Sequence, residues 1–232
     1  MIVSHRHRLI FIKTVKTAGT SVEVMLSRHC GREDIITPVI PREAGHSPQN
    51  HRGLFNPADD LAALGARKAP GVVKRLIQAQ RFYNHMPARI ARARLGEAVW
   101  SAYFKFTIER DPWEKTLSYF HMTNARRSSP LTLDAFLDSG RFAPASELYT
   151  DAEGRILVDK ILQYETLEAD LRALLIERGI PDPGTLPNAK GGYRRDRRAA
   201  GDILTRAQAQ RIAERYAFEI EHFGYTLEQA GP

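Results

Sequence analysis

The feature that most constrains the fold is a strand, a loop and a helix in direct succession near the amino terminus. The apolar run Arg8–Lys13 predicts a strand, and Thr20–His29 predicts a helix that Gly31 ends. The loop Thr14–Gly19 joins the two elements. Because the first N–H groups of a helix have no partner within the helix, they point toward whatever precedes them. This arrangement predicts a site for an anion.

The side chains of the loop suit the same purpose. Gly19 lets the backbone approach a ligand closely, and Lys16 supplies a cation. Thr20 and Glu23 also have the spacing of a capping box, so an ordinary capped helix remains the alternative interpretation. Ala18 lies within the loop, and hydroxyl groups follow at Thr17, Thr20 and Ser21.

The loop does not match the Walker A motif of nucleoside triphosphatases. That motif places its lysine directly after a glycine, whereas Lys16 precedes Gly19 by three residues. No apolar strand ends in an aspartate that could hold Mg²⁺. We therefore expect an anionic ligand that binds without a metal, and we predict no metal site.

A second motif lies about 90 residues downstream. The run Tyr103–Glu109 predicts a buried strand, and Arg110 follows it at the carboxyl end, where α/β sheets bind ligands. Asp111 is a good N-cap for a helix over Pro112–Asn124. Ser118 lies two turns into that helix, so Arg110 and Ser118 together could clamp a phosphate. Alternatively, Arg110 forms a local ion pair with Asp111 or Glu114.

The remaining pattern alternates short strands with amphipathic helices. It predicts a single α/β domain over residues 1–232, with a P-loop-like, three-layer architecture and a mainly parallel central sheet flanked by helices. Region 41–80 is expected to be irregular. Further strands are predicted at Ile35–Ile40 and Ile161–Tyr164, a hairpin at Glu147–Thr150 and Arg155–Val158, and helices at Val72–Gln80, Pro87–Gly96, Leu131–Asp138, Thr166–Arg178 and from the cap pair Thr205 and Gln208 to Phe223.

Composition narrows the classes of partner. The net charge of +7 fits a polyanionic ligand, but it is spread along the chain and gives little support for nucleic acid. The single cysteine, Cys30, excludes an intrachain disulfide and a cysteine zinc site. We see no signal peptide and no transmembrane run, so we expect a soluble, cytoplasmic protein.

Together the two motifs resemble the sulfotransferases that use 3′-phosphoadenosine-5′-phosphosulfate (PAPS), in particular the carbohydrate-sulfotransferase-like branch. IFIKTVKTAGTSVE is similar to that family's 5′-phosphosulfate loop, and FTIERDPWEKTLSYF to its 3′-phosphate element. Two further stretches are also similar to sequences of that family, namely ILQYETLEADL and IAERYAFEIEHFGY. The family often has His and Pro where this chain has Lys13 and Val15, and Glu109 replaces a residue that is usually apolar.

The resemblance implies a role for each matching residue. The backbone of Thr17, Ala18, Gly19 and Thr20, with the side chains of Thr20 and Ser21, would hold the 5′-phosphosulfate. Lys16 would neutralise the leaving bridging oxygen, and Arg110 and Ser118 would bind the 3′-phosphate. A later basic loop, Lys190–Arg195, which contains Tyr193 and Arg194, is similar to the segment that closes over the nucleotide; Arg197 and Arg198 are expected to be solvated.

The general base is left open between two residues. His85 is the first candidate because it lies just before a helix, in a region where related enzymes place a His or Glu base, and Glu109 is the second. Glu109 should point away from Arg110 and could pair with Lys105 or Lys13. His46 and His51 are weaker candidates, and His5 and His7 are expected to be a solvated run.

The sequence therefore predicts transfer of a sulfuryl group from PAPS to a hydroxyl, with a saccharide as the expected acceptor. The alternatives are a P-loop-like nucleotide kinase or other phosphoryl transferase, and a non-catalytic nucleotide-binding protein. Neither the acceptor's identity nor the oligomeric state can be read from the sequence.

Overall fold

A five-stranded sheet lies at the centre of the fold. The structure is a computed structural model, and it describes residues 1–187, 189, 192–194, 196 and 198–227. The strand order is β3-β1-β2-β4-β5, and β2, β4 and β5 run parallel. β1 is antiparallel to both β2 and β3, so four of the five strands point the same way. The strands are β1 (Ile2–Ser4), β2 (Leu9–Phe11), β3 (Ile35–Ile36), β4 (Phe104–Glu109) and β5 (Lys160–Gln163).

Alternate residues of the central strands enter two different cores. Leu9 and Phe11 belong to one buried cluster, and Ile10 and Ile12 belong to a second on the opposite face of the sheet. Residues of α1 and α9 complete the first cluster, and residues of α4 and α5 contribute to the second. The helices are α1 (Gly19–Ser27), α2 (Pro57–Leu64), α3 (Ala69–Ile77), α4 (Ala88–Leu95), α5 (Glu97–Ala102), α6 (Pro112–Asn124), α7 (Leu133–Asp138), α8 (Ser146–Tyr149), α9 (Leu167–Glu177), α10 (Ala200–Ile203), α11 (Arg206–Arg215) and α12 (Ala217–Phe223).

The predicted three-layer α/β class with a mainly parallel sheet is confirmed. Two predicted helix starts are confirmed in detail as well. Asp111 caps α6 by accepting a hydrogen bond from the backbone N–H of Glu114 at 2.8 Å, and Thr205 and Gln208 form a reciprocal capping box at α11. That the whole of 1–232 is one domain stays a prediction.

Several elements differ from the prediction. Residues 147–149 lie in α8 rather than in a hairpin strand, and only the bridge between Thr150 and Ile156 remains of that hairpin. The last predicted helix breaks at Tyr216, which separates α11 from α12. The sequence pattern missed β1, α2 and α5. β1 has three residues and α5 has six, so both are too short to show a clear periodic pattern.

Among the described residues, no helix has both the length and the apolar character needed to cross a bilayer. Four residues of the predicted closing loop and its flank, Lys190, Gly191, Arg195 and Arg197, lie outside the described residues.

Candidate functional site

A cavity of about 930 Å³ opens where the three parallel strands end. The loop after β2, Arg110 after β4 and Tyr164 after β5 all contribute to its wall. The carboxyl edge of parallel strands is where α/β sheets form ligand sites, because the connecting loops diverge there. Ten of the residues predicted to bind the donor line this one cavity: Lys16, Thr17, Ala18, Gly19, Thr20, Ser21, Arg110, Ser118, Tyr193 and Arg194.

The loop before α1 has an unusual backbone. Lys16 and Ala18 both have positive φ angles, 64° and 57°, although neither is a glycine. Alternation of left-handed and right-handed residues turns successive N–H groups toward one side, which creates a concave anion-binding surface. Backbone strain of this kind persists only where the surrounding structure enforces it. Here it occurs at the loop for which an anion site is predicted.

The predicted capping box at Thr20 and Glu23 is wrong. The helix begins at Gly19, and no side chain caps it. Glu23 is fully buried and pairs with Lys13 Nζ at 2.6 Å and with the amino group of Met1. The first N–H groups of α1 therefore have no side-chain cap and face the cavity that Gly19, Thr20 and Ser21 line.

Arg110 reaches back across the cavity to the loop. Its Nη1 lies 3.4 Å from the carbonyl oxygen of Lys16, and its guanidinium stacks on the ring of Tyr164 at 4.1 Å from the ring centre. The local ion pair that was left as an alternative exists but is long, at 3.5 Å from Nη2 to Glu114 Oε2. The buried Nε has no hydrogen-bond partner in the described part of the chain. Arg110 is thus positioned by stacking and retains donors that could bind an anion.

The segment after α9 covers one side of the cavity. The backbone N–H of Ala189 donates to Ser21 Oγ at 3.2 Å, and Arg194 Nη1 pairs with Glu114 Oε2 at 2.5 Å. Tyr193 presents its ring to Lys16 Nζ, 5.6 Å from the ring centre. These contacts join the carboxyl-terminal part of the chain to both predicted motifs. Arg198 bonds Asp196 at 2.7 Å on the exposed surface, in agreement with its expected solvated role.

His85 lies on the cavity wall with its ring half-buried. Its Nδ1 is 3.1 Å from the carbonyl oxygen of Lys13. Since a carbonyl can only accept, Nδ1 carries the proton and Nε2 is left as the acceptor. Burial, and then the positive charge of Lys13, lower the pKa of His85 to about 4. The ring is therefore neutral at pH 7 and can accept a proton.

Glu109 does not line the cavity. It is fully buried, forms an ion pair with Lys115 and accepts a hydrogen bond from Tyr149 at 3.2 Å. Both suggested partners of Glu109 are wrong, because Lys105 pairs with Asp159 at 2.9 Å and Lys13 pairs with Glu23 at 2.6 Å. Burial raises the pKa of Glu109, but its partners keep it in the protein interior. The geometry thus favours His85 over Glu109 as a base.

The histidines His46, His51, His5 and His7 do not line the cavity. His46 is buried and His51 is half-buried, and burial lowers the pKa of both. The expectation that His5 and His7 are solvated is wrong, since His5 Nδ1 lies 2.8 Å from the hydroxyl of Tyr103, and His7 Nε2 lies 3.3 Å from the carbonyl of His29.

Sequence reasoning did not identify several cavity residues. Tyr164 was read as the end of a strand, but it begins a short 3₁₀ helix beneath Arg110. Asn84 neighbours His85, and its buried Oδ1 finds no partner in the described part of the chain. Its position beside the candidate base is the one signal that could have identified it. Further wall residues are Ile40, Met122, Arg126, Glu165 and Glu168. The described residues contain no cluster of three or more His, Cys, Asp or Glu that could hold a metal ion.

Comparison with known proteins finds similar proteins among solved structures and among curated sequences. No protein-family model matches the chain. A sulfotransferase from Alicyclobacillus acidocaldarius aligns with 97% of this chain and 96% of its own, with a TM-score of 0.44 and 13% sequence identity, a level at which similarity does not establish a shared function. An "Uncharacterized protein" of Archaeoglobus fulgidus is 31% identical over 102 residues, which are 42% of this chain and 85% of the archaeal protein. The chain belongs to the same family as this archaeal protein.

Proposed function

We propose that the protein is a PAPS-dependent sulfotransferase that transfers a sulfuryl group to a hydroxyl, with a saccharide as the expected acceptor. The observation that carries the proposal is the meeting of two motifs 94 residues apart in one cavity, with Arg110 Nη1 3.4 Å from the carbonyl of Lys16. An adenylate with phosphate groups at both its 3′ and 5′ positions requires two anion sites in one cavity. A nucleotide with a single anionic end would leave one of them unused.

Two separate anion sites in the cavity suit the two ends of that nucleotide. The uncapped start of α1 and its loop would receive the 5′-phosphosulfate, with Thr17, Thr20 and Ser21 as additional donors. Arg110 and Ser118 would receive the 3′-phosphate, because Arg110 retains donors that its present long contacts do not use well. Arg194 would lie near the same anion, held in the wall by Glu114.

The transfer step follows from this placement. The acceptor oxygen forms a bond to sulfur while the bond from sulfur to the bridging phosphate oxygen breaks, and adenosine 3′,5′-bisphosphate leaves. Lys16 stabilises the negative charge that develops on the bridging oxygen. The acceptor proton moves to Nε2 of His85, which the contact between Nδ1 and the Lys13 carbonyl keeps in the accepting form.

The acceptor would enter beside His85. Asn84 offers a buried carbonyl oxygen, and Ile40, with 84% of its surface exposed, offers an apolar wall. A sugar presents hydroxyl donors next to an apolar ring face, which is the chemistry these two side chains complement. A buried acceptor without a partner costs about 1–3 kcal/mol, so a hydroxyl that fills this position adds to binding.

Calorimetry on the whole chain in EDTA tests the donor assignment. We expect adenosine 3′,5′-bisphosphate to bind without metal and much more tightly than ADP. Equal affinity for the two, or binding that requires Mg²⁺, would contradict the proposal and favour a phosphoryl transferase.

A turnover assay separates an enzyme from a non-catalytic binder. The protein is incubated with ³⁵S-labelled PAPS and a panel of saccharides and small alcohols, and the label is followed into the acceptor. We expect transfer to at least one saccharide. Tight binding of the bisphosphate without transfer to any member of the panel would contradict the enzymatic assignment.

A further inference from the structure

The side chain directly beneath the anion loop is Lys13, at the position where the resembling family often has a histidine. It emerges from the end of β2, lines the cavity and is only 4% exposed. Its Nζ forms an ion pair with Glu23 Oε2 at 2.6 Å, in the second turn of α1. Lys13 therefore connects the strand before the loop to the helix after it, so the ends of the loop are fixed relative to each other.

The aliphatic part of Lys13 also explains why Gly19 must be a glycine. A Cβ atom added to Gly19 would lie 2.7 Å from Lys13 Cγ and within 3.3 Å of Cδ and Cε. Real Cβ atoms do not approach other carbons so closely, and Cγ is too near the backbone to move away easily. The first residue of α1 thus rests directly on the Lys13 side chain.

Lys13 also acts on the candidate base. Its carbonyl oxygen is the partner of His85 Nδ1. The charged groups that influence the His85 ring are the Lys13 ammonium, the amino group of Met1 and the carboxylate of Glu23. Glu23 accepts hydrogen bonds both from Lys13 Nζ and from the Met1 amino group. Lys13 therefore contacts both the helix start at Gly19 and the candidate base His85.

We infer that Lys13 is a positioning residue that links donor binding to proton transfer: its side chain holds the anion loop against α1, and its backbone carbonyl holds the His85 ring in the tautomer whose Nε2 can accept a proton. The inference rests on the proposed function for its effect on nucleotide binding. Its effect on His85 is independent of any nucleotide. A single buried lysine thus serves both ends of the reacting complex.

The test is Lys13→Met, which keeps the length of the side chain and removes its charge. Glu23 then still has the Met1 amino group and Thr37 as partners, so no carboxylate is left alone in the interior. We expect binding of adenosine 3′,5′-bisphosphate to weaken about tenfold by calorimetry, since hydrogen bonds to charged groups contribute about 1.5–3 kcal/mol. We also expect the pKa of His85, followed by NMR of its ring protons, to rise above its value of about 4 but to stay below the ordinary 6.5, because burial, the larger cause of the low pKa, is unchanged in the variant.

Lys105→Met is the matched control. Lys105 is another buried lysine in an ion pair, but it lies at the amino end of β4, away from the cavity. It should change neither the affinity for the bisphosphate nor the titration of His85. If Lys13→Met does not fold, the double variant Lys13→Met with Glu23→Gln removes both charges and is measured in its place.

The outcomes separate this inference from the proposed function. Wild-type affinity in the Lys13 variant, or an unchanged His85 titration, would overturn the inference. Failure of the wild-type protein to bind the bisphosphate would overturn the proposed function instead. The His85 titration needs no nucleotide, so in that event it alone decides the role of Lys13.

Discussion

The proposed donor half and the proposed acceptor half of the cavity are built in different ways. The donor half consists of strand ends and helix starts, with the loop after β2 and Arg110 after β4. The proposed acceptor half consists of Ile40, Asn84 and His85, which lie on loops in the long stretch between β3 and β4 that also contains helices α2 to α5. Regular elements position the first half, whereas the second depends on contacts between residues distant in sequence.

Those distant contacts are specific. His85 has a φ of 56° and is held by the carbonyl of Lys13, 72 residues away. Behind it, Asp60 on α2 is fully buried and binds Arg94 on α4 at 2.5 Å and Arg75 on α3 at 3.2 Å. A buried carboxylate between two arginines fixes these helices relative to one another, because loss of either partner leaves a charge without compensation. The comparison indicates that donor binding should tolerate changes in the acceptor half, and the predictions test this.

The largest effect is expected in the donor half, at Lys16. Lys16→Ala removes the cation next to the developing charge, and loss of one such group lowers turnover by about a thousandfold. The rate of sulfuryl transfer from labelled PAPS measures it, and circular dichroism serves as the control for folding. Turnover close to that of the wild type would contradict the proposal that Lys16 stabilises the charge on the leaving oxygen.

A smaller effect is expected in the acceptor half, at His85. His85→Ala removes the base and lowers turnover by about a hundredfold, while the affinity for adenosine 3′,5′-bisphosphate stays within a factor of about two or three. Turnover and calorimetry on the same preparation separate the two. If nucleotide binding falls with turnover, the halves are not independent and the assignment of the base fails.

A variant of Arg110 tests whether the 3′-phosphate has its own binding residue within the proposed donor half. Arg110→Ala should weaken binding of adenosine 3′,5′-bisphosphate by about thirtyfold, because a charge-assisted contact contributes about 2 kcal/mol. Adenosine 5′-monophosphate lacks the 3′-phosphate, so it is the matched control ligand and its affinity should change little. An equal loss for both ligands would mean that Arg110 supports the adenosine or the loop instead of the 3′-phosphate.

The residues of the proposed donor half could be placed together from the sequence for a physical reason. A strand, a loop with Gly19 and a helix start are local signals, and Arg110 was identified by its place at the end of a strand. Lys13 and Glu23 were not predicted as a pair, because the local pattern favoured a capping box and only the folded chain brings Nζ to the carboxylate. Ile40 carries no local signal, since isoleucine occurs on many loops, and Asn84 offers only its position beside His85. Tyr164 becomes recognisable only once Arg110 lies on its ring.

The smallest expected effect is on the pH dependence of kcat/KM. It compares His85 in the proposed acceptor half with Asp111 at the start of α6. His85 has a pKa near 4 because it is buried and faces Lys13, so the base stays neutral, and active, as the pH falls from 7 to 5. The acid limb of kcat/KM should therefore lie near pH 4, whereas a solvated histidine would produce a limb near 6.5. The unfolded chain binds this proton at 6.5, so the contribution of His85 to the free energy of unfolding declines between about pH 6.5 and 4 while activity persists. Asp111, whose pKa burial raises to about 6, titrates in this window. Asp111→Asn keeps an oxygen to cap α6, so a limb near pH 6 that vanishes in this variant belongs to Asp111, and one that remains would contradict the assignment of His85 as a buried base.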